Sequence, residues 1–191
     1  MKIPPPVRDV LDPLLSLCRV LSSKAFPGVL IGGIACSLLG KPRLTRDIDA
    51  VLLNADGRLT ELLRLFANNG IRPRIPKIAG FAEKNRVLLL RHTTSGIDID
   101  VSMGVLPFER SCVERRAIRK IPRGMLYLPQ VEDLIVLKAV ARRPIDYEDI
   151  KGLVTSAKQI DRRYILSIVR QFADALDAPD MVSDLKKILH A

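Results

Sequence analysis

The sequence has no tryptophan, and aromatic residues make up only 4% of its 191 positions. Any core must therefore pack through aliphatic side chains, which the 48% hydrophobic share supplies at an ordinary globular level. Cysteine is scarce as well, with Cys18, Cys36 and Cys112 alone. Their odd number and the lack of any C-x-x-C spacing argue against a disulfide framework or a zinc site, and for reduced core residues. The two histidines, His92 and His190, stand apart and carry no visible chemistry. No apolar run reaches membrane-spanning length, and the opening MKIPPPVRDV has no apolar segment of the signal-peptide kind. The expectation is a cytoplasmic protein with no membrane partner. There is no G-x-G-x-x-G, so a dinucleotide fold lacks its fingerprint. Gly40-Lys41-Pro42 is not a P-loop, because proline removes an N–H where such a loop needs one. Internal repeats and low-complexity tracts are absent too.

Positive charge is plentiful. Lysine and arginine number 31 against 21 acidic residues, a net charge of +10, and the pI is near 9.9. Such an excess favours polyanions: nucleotides, nucleic acid or an anionic surface. The length suits one compact domain, or a core with a helical annex. We place the core in residues 1–128 and a helical C-terminal part in 129–191.

The chain is organised around Gly28 to Leu53. An apolar run, Gly28 to Ile31, precedes Gly32-Gly33; Ile34 to Leu39 has helical character; Ile48 to Leu53 is again apolar, interrupted by Asp49. The pattern predicts strand, Gly-Gly turn, short helix, loop, strand. Glycines without Cβ let a phosphate approach backbone N–H groups, and a helix start just beyond adds free N–H groups and a positive dipole end. Asp47 and Asp49 are two apart on a strand, so their carboxylates share a face, while Ile48, Ala50 and Leu52 mark the buried one. Two such carboxylates repel each other, which a divalent cation relieves. Oxygen donors suit magnesium (or manganese), and magnesium suits a triphosphate. Arg43 and Arg46 in the loop read equally as phosphate or RNA contacts and as solvated charges.

Elsewhere the periodicity predicts a helix from Asp12, with Asp12 as its cap, to Leu21, and another over Leu59 to Ala67. Ile71 to Lys77 is a basic, proline-broken strand or loop edge, placed to lie over a substrate. Val87 to Leu90 and Ile97 to Val101 are strands, the second bearing Asp98 and Asp100 on one face. Phe108 to Arg116 reads as a helix, then Ala117 to Ile121 and Met125 to Leu128 as a basic hairpin, either an RNA-holding element or a guarded edge. Val131 to Arg142 is a helix whose apolar stripe contains Lys138, with Arg142 one turn on and pointing the same way. Asp146 to Asp149 opens a further helix, and Asp161 to Leu176 and Met181 to Leu189 are two more.

These motifs together resemble the nucleotidyltransferase superfamily, the DNA polymerase β-like fold, and within it the AbiEii and MenT-like toxin branch. The resemblance is carried by Gly32-Gly33, Arg43-x-Thr45-x-Asp47-Ile48-Asp49, the later carboxylate strand, and Lys138 followed by Asp146 and Asp149. It implies an α/β (α+β) fold, a small mixed twisted sheet with flanking helices and a helical C-terminal part. It implies NMP transfer from an NTP, with Asp47 and Asp49 as metal ligands. Asp100, with Asp98 in reserve, becomes the third carboxylate, either a further metal ligand or the base on the attacking hydroxyl. Gly32, Gly33, Arg43, Thr45 and Lys138 become the nucleotide-binding set. Asp149, with Asp146 second, is the acidic residue paired with Lys138. The superfamily usually has Gly-Ser at the turn, and Thr45 is the substitute hydroxyl here. The branch points to an RNA acceptor, the 3′ end of tRNA, and to a toxin neutralised by an antitoxin protein. Three alternatives stand beside it: a small-molecule, antibiotic-type transferase, a non-catalytic RNA- or protein-binding module on the same fold, and an antitoxin or other partner subunit.

Overall fold

The structure is a computed structural model that describes residues 3–189, so His190 lies outside it. A turn of helix, α1 (Pro5–Arg8), leads into α2 (Leu11–Leu21). The cap of α2 is Val10, and both Asp12 and Pro13 lie in its first turn, which corrects the expected cap at Asp12. First-turn N–H groups have no intrahelical partner, so proline costs little there. Then follow β1 (Gly28–Ile31), α3 (Gly32–Leu39), β2 (Asp47–Leu52), α4 (Leu59–Asn68), β3 (Ile71–Pro73), α5 (Ile78–Asn85), β4 (Val87–His92) and β5 (Asp98–Met103). The remainder is α6 (Pro107–Glu114), the hairpin β6 (Ala117–Ile121) and β7 (Gly124–Leu128), α7 (Val131–Ala141), α8 (Pro144–Ser156), α9 (Arg162–Ala175) and α10 (Asp180–Leu189).

Five strands form one mixed sheet in the order β1-β2-β5-β4-β3, and β6 with β7 forms a separate pair. Within the large sheet β2 and β5 are parallel, whereas the other neighbours are antiparallel. The β2–β5 register sets Asp47 beside Asp98 and Asp49 beside Asp100. All four carboxylates therefore stand on one face, as a two-by-two array. The other face carries Ile48, Ala50, Leu52, Ile99 and Val101, all fully buried. They belong to one core with Leu14, Leu17 and Leu21 of α2, Leu62 and Phe66 of α4, and Leu126 and Leu128 of β7. Burying each large aliphatic side chain contributes roughly 1.5–3 kcal/mol. A one-residue slip of β2 would expose three of these positions and bury two charges, so the hydrophobic pattern fixes the register.

At the end of β2 and just past it, Val51 and Leu53 are covered by Cys112 and Val113 of α6. A second core joins α7, α8, α9 and α10 through Leu134, Ile135, Ile150, Ile165, Val169 and Leu185, and it takes in Ala35 and Cys36 of α3. Helix α3 is thus the seat on which the C-terminal helices rest. Helix α7 ends at Ala141, and Arg142 turns left-handed at φ 57°. Lys138 and Arg142 consequently diverge, against expectation: Lys138 points inward, and Arg142 pairs with Asp180 of α10.

All three cysteines are buried and unpaired, and burial pushes the Cys18 and Cys36 thiols up to about 12. His92 is buried between Ser16 (3.3 Å) and Ser95 (2.9 Å), a packing role. Among the described residues, no helix is long and apolar enough to cross a membrane.

Candidate active site

Strand β1 passes into α3 without a loop, and Gly32 makes the turn at φ +64°, a conformation that costs other residues about 1–2 kcal/mol. The two glycines are the first turn of α3, whereas the sequence places the helix start at Ile34. A Cβ on Gly32 would lie 1.9 Å from Asp49 Oδ2, so the missing side chain is what admits the carboxylate to the head of the helix. A Cβ on Gly33 would lie 2.7 Å from Thr45 Oγ1. The threonine hydroxyl occupies the space that a serine at position 33 would claim. That hydroxyl donates to Asp47 Oδ1 at 2.8 Å. The loop carrying Arg43 and Thr45 is tied back to α3 by Ser37, which donates to the Arg43 carbonyl and accepts from its N–H.

Asp49 is half-buried among like charges. Burial first, then Asp47 and Asp100, push its carboxyl up from 3.8 to about 6. Lys138 and Arg143, facing it, offset this only in part. Across the register, Asp100 accepts from Arg74 at 2.7 Å, and Asp98 accepts from Arg91 at 2.7 Å.

Facing the aspartates is a network of three cations on two buried acids. Lys138 is 3% exposed and donates to Asp146 Oδ1 at 2.9 Å, and its Nζ is 2.8 Å from Asp149 Oδ2. Arg43 grips both oxygens of Asp149, at 2.6 and 2.9 Å. Arg143, before the first turn of α8, grips both oxygens of Asp146, at 2.8 and 3.0 Å. Burial alone would raise both carboxyls. The hydrogen bonds from Arg43 and Lys138 on Asp149, and from Arg143 and Lys138 on Asp146, outweigh it and hold both below the ordinary range. Desolvation likewise disfavours charge on Lys138, and its bonds to Asp149 and Asp146 reverse that, keeping it charged.

Between the two groups opens a cleft of about 380 Å³, within the roughly 300–1,000 Å³ of small-ligand sites. Gly32, Gly33, Arg43, Thr45, Asp47, Asp49 and Lys138 line it, joined by Arg143 and Ile145. Asp100 and Asp149 do not. Asp100 stands beside Asp49 on the same sheet face, bonded to Arg74, and Asp149 stands behind Arg43 and Lys138 and fixes both. No residue of the β6–β7 hairpin lines the cleft; Arg115 and Arg116 stack on Tyr164 and Tyr127, and Arg123 pairs with Asp12. Sequence reasoning missed Arg74 and Arg143. For Arg143 the signal was its place just before Pro144, which makes it the residue leading into a helix; for Arg74 nothing local distinguished it from other loop arginines.

A divalent cation fits this donor set as far as the set goes. Among the described residues, no group of three or more His, Cys, Asp or Glu side chains is disposed to hold a metal. The cleft offers a pair, Asp47 and Asp49, of hard oxygen donors with uncompensated charge. Magnesium commonly takes one or two protein carboxylates and completes its shell with phosphate oxygens and water.

A family described as nucleotidyltransferase of unknown function (DUF6036) matches residues 15–183. The chain belongs to this family. This family member resembles solved structures in fold. An antigenic nucleotidyltransferase-like protein from Paracoccidioides brasiliensis aligns over 93% of each chain, with 21% identity and a TM-score of 0.52. The solution structure of the antibiotic-resistance factor ANT(2″)-Ia aligns over 90% of this chain and 95% of that one, at 14% identity and a TM-score of 0.56. The crystal structure of ANT(2″)-Ia with adenylyl-2″-tobramycin covers 89% and 99%, at 13% identity and a TM-score of 0.56. No curated protein matches the sequence. The α/β fold expected from the sequence is the observed one, and the superfamily stands, while its AbiEii and MenT-like branch receives no support from these comparisons.

Proposed function

We propose that the protein transfers a nucleoside monophosphate from an NTP to an acceptor hydroxyl, with magnesium or manganese as cofactor. The observation that carries this reading is the meeting of a side-chain-free helix start, Gly32-Gly33, with the Asp47–Asp49 pair in one cleft. Bound at Asp47 and Asp49, the cation would supply charge neutralisation for the triphosphate and the departing pyrophosphate. The N–H groups at the head of α3 and the Thr45 hydroxyl cradle the β and γ phosphates. Lys138, Arg43 and Arg143 neutralise them, each held in place by Asp149 or Asp146. The acceptor oxygen attacks the α-phosphorus; that P–O bond forms as the bond to the bridging β-oxygen breaks, and pyrophosphate leaves. Asp100, oriented by Arg74, receives the hydroxyl proton. Residues 1–128 are the catalytic core in this reading, and 129–191 add Lys138 and Arg143 to the cationic wall that Arg43 begins.

We take RNA, and the 3′ end of tRNA first, as the acceptor. The support is the +10 charge, with Lys41 and Arg46 exposed on the loop that carries Arg43 and Thr45. If tRNA is modified, expression arrests growth unless a partner protein, an antitoxin, neutralises the enzyme. ANT(2″)-Ia favours a small-molecule acceptor, but the +10 charge of the whole chain weighs against a polyamine such as tobramycin.

The test is incubation with magnesium, total tRNA and each α-labelled NTP, with Asp49→Asn alongside. Label in tRNA from one NTP, absent with Asp49→Asn, supports the reading. No label in tRNA, and none in RNA of any kind, overturns the RNA acceptor.

A further inference from the structure

The four carboxylates on β2 and β5 are unequally provided with cations. Asp98 receives Arg91 at 2.7 Å and Arg74 at 3.5 Å. Asp100 receives Arg74 through Nη1 at 2.7 Å and Nη2 at 3.4 Å. Among the described residues, Asp47 has the Thr45 hydroxyl as its side-chain partner, and Asp49 has no ion pair at all. The division follows the strands. The β5 pair is neutralised by arginine from within the protein, and the β2 pair is left for something else.

Arg74 is built into its place. It follows Pro73, the last residue of the edge strand β3, and its backbone N–H bonds the Leu89 carbonyl at 3.0 Å. Its side chain is only 20% exposed. A guanidinium is permanently charged, and its planar fork matches a carboxylate through two parallel bonds. A cation bridging Asp49 and Asp100 would have to share the space in front of Asp100 with that group. Two cations around one carboxylate repel each other, and Arg74 cannot be discharged to make room.

Resting on the transferase reading above, we propose that this site takes one divalent cation, at Asp47 and Asp49, and that Arg74 is the fixed positive charge standing where a second would bind at Asp100. Asp100 is then free of metal and able to face the acceptor, and Arg74 is a positioning residue for it. The coordination shell of the single cation is completed by water and nucleotide phosphate.

The test is titration of the full chain with Mn2+ alone, free Mn2+ being followed by electron paramagnetic resonance. The wild type binds one Mn2+ per chain, and Asp49→Asn binds none. Asp100→Asn, which keeps the side-chain size, binds one with an affinity within about twofold of wild type. Arg74→Gln gains a second Mn2+, which is lost again in Arg74→Gln/Asp100→Asn. Two ions in the wild type, a tenfold or greater weakening in Asp100→Asn, or a single ion in Arg74→Gln overturns the inference and leaves the transferase reading standing. No bound Mn2+ in the wild type, either alone or with a non-hydrolysable nucleoside triphosphate present, overturns the transferase reading itself. Should Arg74→Gln fail to fold, the wild-type count and Asp100→Asn decide alone.

Discussion

A methyl group at position 32 would collide with the Asp49 carboxylate and would also sit on a left-handed backbone. Gly32→Ala should therefore cost about 1–3 kcal/mol in urea unfolding, more than an ordinary surface exchange. Asp49 makes a second residue-level prediction. Its folded carboxyl, raised from 3.8 to about 6, holds a proton that the unfolded chain has already released. Unfolding is thus favoured as pH rises from about 4 to above 6, and the cost reaches on the order of 1–2 kcal/mol, allowing for solvent screening. With a chelator present, Asp49→Asn should melt higher than wild type at pH 7.5 and at the same temperature at pH 4. Equal melting at both values would mean that Asp49 is not crowded by its neighbours. Asp149 has the opposite sign. Lowered below 3.8, it stabilises above that value and loses the effect as pH falls through its folded value. Asp149→Asn should cost about 3–5 kcal/mol at neutral pH, because it strips partners from the buried Lys138 and from Arg43. Thermal melting would read this as a fall of roughly 2–4 °C per kcal/mol. At this scale the sequence disclosed residues whose meaning is local. Gly32, Gly33, Asp47 and Asp49 lie within one turn and one strand, so period and spacing expose them. Arg74 and Arg143 gain meaning only from the carboxylates that folding sets opposite them.

Strong periodicity exposed most elements, and weak local chemistry hid two short helices, α1 and α5. Helix α5 received no assignment because IAGFAEKN is short, contains Gly80 and has no capping side chain. Its flanks, Lys77 and Arg86, both turn left-handed, at φ 52° and 59°, which no local pattern announces. Burial of Ile78 and Ala82 maintains it, a tertiary contribution that local propensity does not carry. Helix α9 is the contrary case: Asp161 caps it by accepting the Tyr164 N–H at 2.9 Å. Asp161→Ala should cost about 1 kcal/mol, seen as a lower urea midpoint with an unchanged slope. The strand pair β2–β5 shows a further limit. The sequence reveals two carboxylate strands, but their parallel adjacency, which sets Asp49 beside Asp100, follows from the whole sheet order.

At the level of the molecule, the +10 charge should make RNA association strongly salt-dependent. Reversing Lys41 and Arg46 to Glu should weaken RNA binding tenfold or more and flatten its slope against log salt by about 1–2. A slope that does not change in a binding titration would place the RNA on another face. The feature with the widest reach is nonetheless the smallest, the bare Cα of Gly32 under Asp49. Positions 32 and 49 cannot drift independently. Any relative that acquires a side chain at the first has either moved the acid at the second or dispensed with it. One letter at position 32 is therefore expected to sort family members into those that keep the acid at the head of the helix and those that do not, and activity assays of a few members of each kind would show whether the sorting matters to function.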